Sequence, residues 1–84
     1  MTTTENAQLE TTYLFELPPI VADRIHMLLS YGAGDTDAIL TVVTTTSAFV
    51  EFGERGADYL RSRGFLDDDD RLTVGRHTFR PVPR

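Results

Sequence analysis

The residues in this chain with chemistry to offer are eight arginines, thirteen acids, two histidines and three serines. Their spacing decides what they can do. A metal site needs His, Cys or carboxylate ligands at short, regular intervals. His26 and His77 stand alone, and the chain has no cysteine. Asp67–Asp70 is a run of acids, but it lacks the alternating ligands, central Gly and distal Glu of a calcium loop, so it reads as a solvated loop. Asp35 and Asp37 read as turn and capping residues. A nucleophile needs a base and an orienting acid beside it, and Ser30, Ser47 and Ser62 have no such neighbours. Gly32-Ala33-Gly34 carries no further part of a phosphate-binding fingerprint. The expectation is a non-enzymatic chain with no catalytic residue, no metal and no cofactor.

What remains is binding. All eight basic residues are Arg, the residue that makes planar, two-pronged contacts to phosphate or carboxylate. Arg61, Arg63, Arg76 and Arg80 are therefore candidates for phosphate or for an acidic partner. The net charge of −5 argues against a phosphate-rich partner, because such binding is driven by neutralising phosphates. The charge is uneven, though. Residues 1–53 hold one Arg and seven acids, whereas Arg71–Arg84 holds four Arg and no acid.

The elements that position these side chains are organised around Ile39–Phe52. Its β-branched run Val42–Thr46 suits a strand better than a helix. Thr45-Thr46-Ser47 is a plausible turn, after which Ala48, Val50 and Phe52 alternate with Phe49 and Glu51 at period two. Before it, Thr12–Leu17 is a strand whose inward face stays open, since Tyr13, Phe15 and Leu17 share one face and Leu14 and Glu16 the other. Pro18-Pro19 ends it. Ile20–Tyr31 is a helix buried through Val21, Ile25, Leu28 and Leu29. After the hairpin, Glu54–Arg63 is a second helix with Ala57 and Leu60 inward and Gly64 as its stop. Arg71–Val74 and His77–Val82 form a last hairpin or bent strand around Gly75.

The predicted order β-α-β-β-α-β gives an α+β ferredoxin-like split sandwich over residues 12–84, behind a flexible polar tail at residues 1–11. The alternative makes Ala48–Arg63 one helix capped by Ser47, which yields a winged helix-turn-helix. There is no signal-peptide pattern and no apolar run near twenty residues, so a cytoplasmic location away from membranes is expected.

Two resemblances follow from particular stretches. Thr45–Phe52, TTSAFVEF, resembles the third-strand octapeptide of RNA-recognition-motif domains, with Thr45, Thr46 and Ser47 departing from that pattern. TYLFELPP, LLSYG and VGRHTFRPV resemble that family's first strand, first helix end and last strand. The resemblance implies a sheet face on which Tyr13 and Phe49 are outward aromatics. Ala57–Val74 is similar to the recognition helix and wing of winged-helix regulators, which would place Arg55, Arg61 and Arg63 against phosphates. The leading expectation is a protein-binding module that uses a sheet face bearing Tyr13, Phe49 and Glu51. Its partner would be another protein or a second copy of the chain, and the alternative is a nucleic-acid binder.

Overall fold

The computed structural model describes residues 12–83. The expected tail at residues 1–11 lies outside them. The chain runs β1 (Thr12–Leu17), α1 (Pro19–Met27), a single π turn (Leu28–Gly32), β2 (Ile39–Val42), β3 (Ala48–Gly53), α2 (Glu54–Ser62), β4 (Leu72–Val74) and β5 (His77–Phe79). It is an α+β domain with two α-helices and antiparallel sheets.

β3 is the central strand. The first sheet has the order β1-β3-β2 and both ladders are antiparallel. β1 and β2 therefore run the same way on either side of β3, joined by α1. The hairpin between β2 and β3 closes through Thr44–Ser47. There the Val43 and Thr44 N–H groups both donate to the Ser47 carbonyl, each at 3.0 Å, and Thr44 Oγ1 accepts the Thr46 N–H at 3.1 Å. The one-helix alternative for Ala48–Arg63 is thus overturned, and with it the winged-helix architecture. Ala48, Val50 and Phe52 obey period two, and Gly53 stays extended, with φ −99° and ψ −163°, before α2 begins at Glu54.

Register settles the face of β1. Tyr13, Phe15 and Leu17 sit opposite Phe52, Val50 and Ala48. All six are buried, and the Phe15 and Tyr13 rings stack on Phe52 at 5.9 and 5.5 Å. The other choice would have put Glu16 into the core, where an unpaired carboxylate is costly. The core is completed by Ala22, Ile25 and Leu29 from the first helical segment, by Ala57 and Leu60 from α2, and by Leu66 and Leu72. Both helices therefore pack on the same side of the sheet.

α2 ends in a Schellman motif. The Phe65 N–H reaches the Leu60 carbonyl at 2.9 Å and the Gly64 N–H reaches that of Arg61 at 3.1 Å. Gly64 supplies the left-handed φ of 83° that this closure requires.

The chain does not place its last strand fully in the first sheet. β4 and β5 form a separate two-stranded sheet turning at Gly75-Arg76. Among the described residues only Val82 touches the open side of β1 by a backbone hydrogen bond, its N–H donating to the Leu14 carbonyl at 2.7 Å. Pro81 and Pro83 on either side lack the donors that a longer ladder would use.

Candidate interaction surface

The face of the first sheet turned away from the helices is a small grid fixed by register. Across β1, β3 and β2 one row reads Leu14, Glu51, Ile39, and the next reads Glu16, Phe49, Thr41. Leu14 and Phe49 are half-buried and lie outside the core cluster, as does the exposed Ile39. Apolar and acidic side chains alternate, with no basic residue among them. Glu16 Oε2 accepts the Ser47 hydroxyl at 2.6 Å, which fixes one carboxylate at the corner of the grid.

Of the three residues expected on one binding face, the geometry unites Phe49 and Glu51 and separates Tyr13. Tyr13 is 8 % exposed and belongs to the core side. The correction follows from register, since Tyr13 pairs with Phe52 rather than with Phe49. A buried tyrosine needs a partner for its hydroxyl. Tyr13 Oη accepts from Arg61 Nη2 at 3.0 Å and donates to Glu54 Oε2 at 3.3 Å.

The four arginines do not form one patch. Arg61 is a clamp: its Nη2 also bonds Asp70 Oδ1 at 2.9 Å and its Nη1 bonds Asp58 Oδ1 at 3.3 Å. Its guanidinium lies 5.7 Å from the centre of the Tyr13 ring. The hydrogen bonds it donates to Tyr13 and then to Asp70 push its pKa further up, so its charge is fixed at any working pH. Arg63 lies over the Tyr59 ring at 5.3 Å. Arg76 sits at the β4–β5 turn, and Arg80 follows β5; both are exposed.

The acidic loop has a structural role. Asp67 Oδ1 accepts the N–H groups of Asp69 and Arg71, both at 2.9 Å, and the Arg71 side chain reaches Asp67 and Asp69 at 3.3 and 2.9 Å. Asp70 adopts a φ of 64°, a conformation that Asp tolerates better than most residues. The backbone N–H of Arg71, then that of Asp69 and the charge of Arg71, lower the Asp67 pKa from 3.8. A group depressed in the folded state contributes stability above its unfolded pKa and loses it as pH falls through the folded one. Asp67→Asn is therefore expected to lower the urea midpoint at pH 7 and to change it little at pH 2. Denaturation curves at the two pH values check this.

Asp35 is the one buried acid among the described residues. Its Oδ1 accepts the Asp37 N–H at 3.0 Å, while Oδ2 faces Gly56 in the first turn of α2 without a hydrogen bond. His26 Nε2 lies 3.2 Å from the Ala38 carbonyl, which makes Nε2 the protonated nitrogen, and His77 is on β5. Among the described residues no three His, Cys, Asp or Glu side chains gather at metal-binding geometry. None of their helices is long and apolar enough to cross a membrane.

Two exposed apolar features were not expected. Ile20, Met27 and Tyr31 form a second stripe along the outer side of the first helical segment, and Ile39, Val42 and Val43 line the free edge of β2. The first was legible as spacings of seven and four inside the predicted helix. The second needed the strand order. No family model matches the chain, nor does any curated protein or solved structure.

Proposed function

We propose that the domain is a non-enzymatic protein-interaction module whose outer sheet face docks a partner rich in basic residues. The observation that carries this reading is the grid itself, which among the described residues neither helix covers. Leu14, Phe49 and Ile39 lie outside the core beside Glu16 and Glu51. An apolar centre with acidic neighbours suits a complementary surface of apolar side chains flanked by Lys or Arg. The split arrangement of β1, α1, β2 and β3 supports a ferredoxin-like assignment in which Val82 stands in for the fourth strand.

Phe49 is the expected anchor. Central aromatics dominate interface energetics, and truncating one costs about 2 kcal/mol or more of binding. Phe49→Ala is expected to weaken partner binding by at least about thirtyfold. It should leave the circular dichroism spectrum intact, because Phe49 packs outside the core. A photocrosslinking residue at position 49 identifies the partner in cells, and titration calorimetry with the purified partner measures the loss. An unchanged affinity, or a domain unfolded by Phe49→Ala, defeats the proposal.

The alternative of nucleic-acid binding draws less support. Of its candidate arginines, Arg61 already holds two carboxylates of the same chain.

A further inference from the structure

Among the described residues β2 is an open edge of the first sheet, because the order β1-β3-β2 leaves its outer side without a partner strand. Edge strands are normally guarded by a charge, a proline, a bulge or a covering element. Residues 38–50, between Asp37 and Glu51, contain no charged residue and no proline. Ile39, Val42 and Val43 are 54, 62 and 57 % exposed.

The backbone directions follow from one bond. The Val43 N–H donates to the Ser47 carbonyl at 3.0 Å, continuing the β2–β3 ladder by one pair. Hydrogen-bonded pairs alternate along an antiparallel ladder. Ile39, Thr41 and Val43 therefore turn their backbone groups toward β3, and Leu40 and Val42 turn theirs to the open side.

We propose that a second copy of this chain docks on this edge, β2 against β2, antiparallel about a two-fold axis at Thr41, to form one continuous sheet. In that register Leu40 exchanges both backbone hydrogen bonds with the partner's Val42. Ile39 falls opposite the partner's Val43, and Thr41 opposite the partner's Thr41. Every exposed apolar residue of the segment meets another apolar residue. A shift of two positions either way sets Ile39 against the partner's Thr45 or Val43 against the partner's Asp37, so the sequence is self-complementary in this one alignment. Charge favours the same strip. Two copies each carrying −5 repel where acids meet, and residues 38–50 let them approach with none. The ladder is shorter than a standard interface supplies, so the dissociation constant is expected on the order of 10–100 μM. The inference shares Ile39 and Thr41 with the outer face but does not depend on the docking proposed there, because it uses the strand's backbone edge and its tests need no other partner.

Sedimentation velocity tests it. The wild-type sedimentation coefficient is expected to rise with concentration through the micromolar range. Thr41 is exposed, so Thr41→Lys and Thr41→Glu should each fold. Each should weaken the dimer more than tenfold, because like charges meet at the axis. An equimolar mixture of the two variants should restore association. Because the chain has no cysteine, Thr41→Cys gives an independent readout. A non-hydrogen-bonded antiparallel pair holds its Cα atoms about 4.5 Å apart, within disulfide reach. Oxidation should give a covalent dimer with Thr41→Cys and none with Thr73→Cys on β4. A wild type that stays monomeric to about 1 mM overturns the proposal. So does a Thr41→Lys variant that dimerises like wild type, a mixture that fails to associate, or crosslinking no better at 41 than at 73. Should either charge variant fail to fold, the cysteine pair decides alone.

Discussion

Phe15→Ala is expected to leave the domain largely unfolded at 25 °C. Phe15 is fully buried, its ring is stacked on Phe52, and it faces Val50 across the β1–β3 ladder. Truncating a buried phenylalanine costs about 3–5 kcal/mol, from lost transfer energy and from the cavity left behind. A domain of this size has only about 5 kcal/mol of total stability to lose. Far-ultraviolet circular dichroism and a urea melt read the outcome directly. Phe49→Ala, next to Val50 on β3 and on the opposite face, is the matched control and should melt within about 1 kcal/mol of wild type. If the two variants lose equal stability, the sheet does not have one core face and one outer face.

Gly56→Ala is expected to destabilise by about 1–3 kcal/mol, against the sign that helix propensity alone gives. In an exposed helix the change would gain about 0.8–1 kcal/mol. Here the added methyl would lie 2.7 Å from Leu29 Cδ2, 2.9 Å from Asp35 Oδ2 and 3.2 Å from Phe52 Cβ. Leu29 is fully buried, and the Cβ atom of Phe52 moves only with its backbone. α2 must therefore lift away from β3 and the π turn, or the core must distort. The urea midpoint measures the net effect. A raised midpoint would mean that α2 can shift without loss and that the close approach at Gly56 is not required.

These two residues also mark what the sequence could disclose. Ala48, Val50 and Phe52 announce β3 by alternation, and Gly64 announces the end of α2, because both signals are local. Read along the sequence alone, Gly56 is a cost to any helix that contains it. The fold uses that same glycine as clearance for Leu29 and Phe52, a need visible only once the distant π turn packs against the β3–α2 junction. The direction of Tyr13 was open for a related reason. Each face of TYLFEL carries apolar residues, and only pairing with β3 selects the one that keeps Glu16 in water. Arg61 was legible as a cation and not as a clamp, because its partners Tyr13 and Asp70 come from opposite ends of the domain. Of the candidate surface, Phe49 and Glu51 follow from alternation along β3. Their neighbours Leu14, Glu16, Ile39 and Thr41 follow from register, which no spacing within one strand encodes.

The central position of β3 bears on the order in which the chain can assemble. Its ladder with β2 closes a short hairpin, whereas its ladder with β1 joins Thr12 to Gly53 across most of the first two-thirds of the chain. Short loops close in microseconds or less, and each long-range pairing waits on a larger entropy loss. The hairpin is thus the natural nucleus and β1 the late arrival. Until β1 docks, Ala48–Gly53 is itself an uncovered strand, with Val50 and Phe52 bare to solvent. During that interval, how crowded the surrounding solution is governs whether a nascent chain completes its own sheet or pairs with a neighbour's.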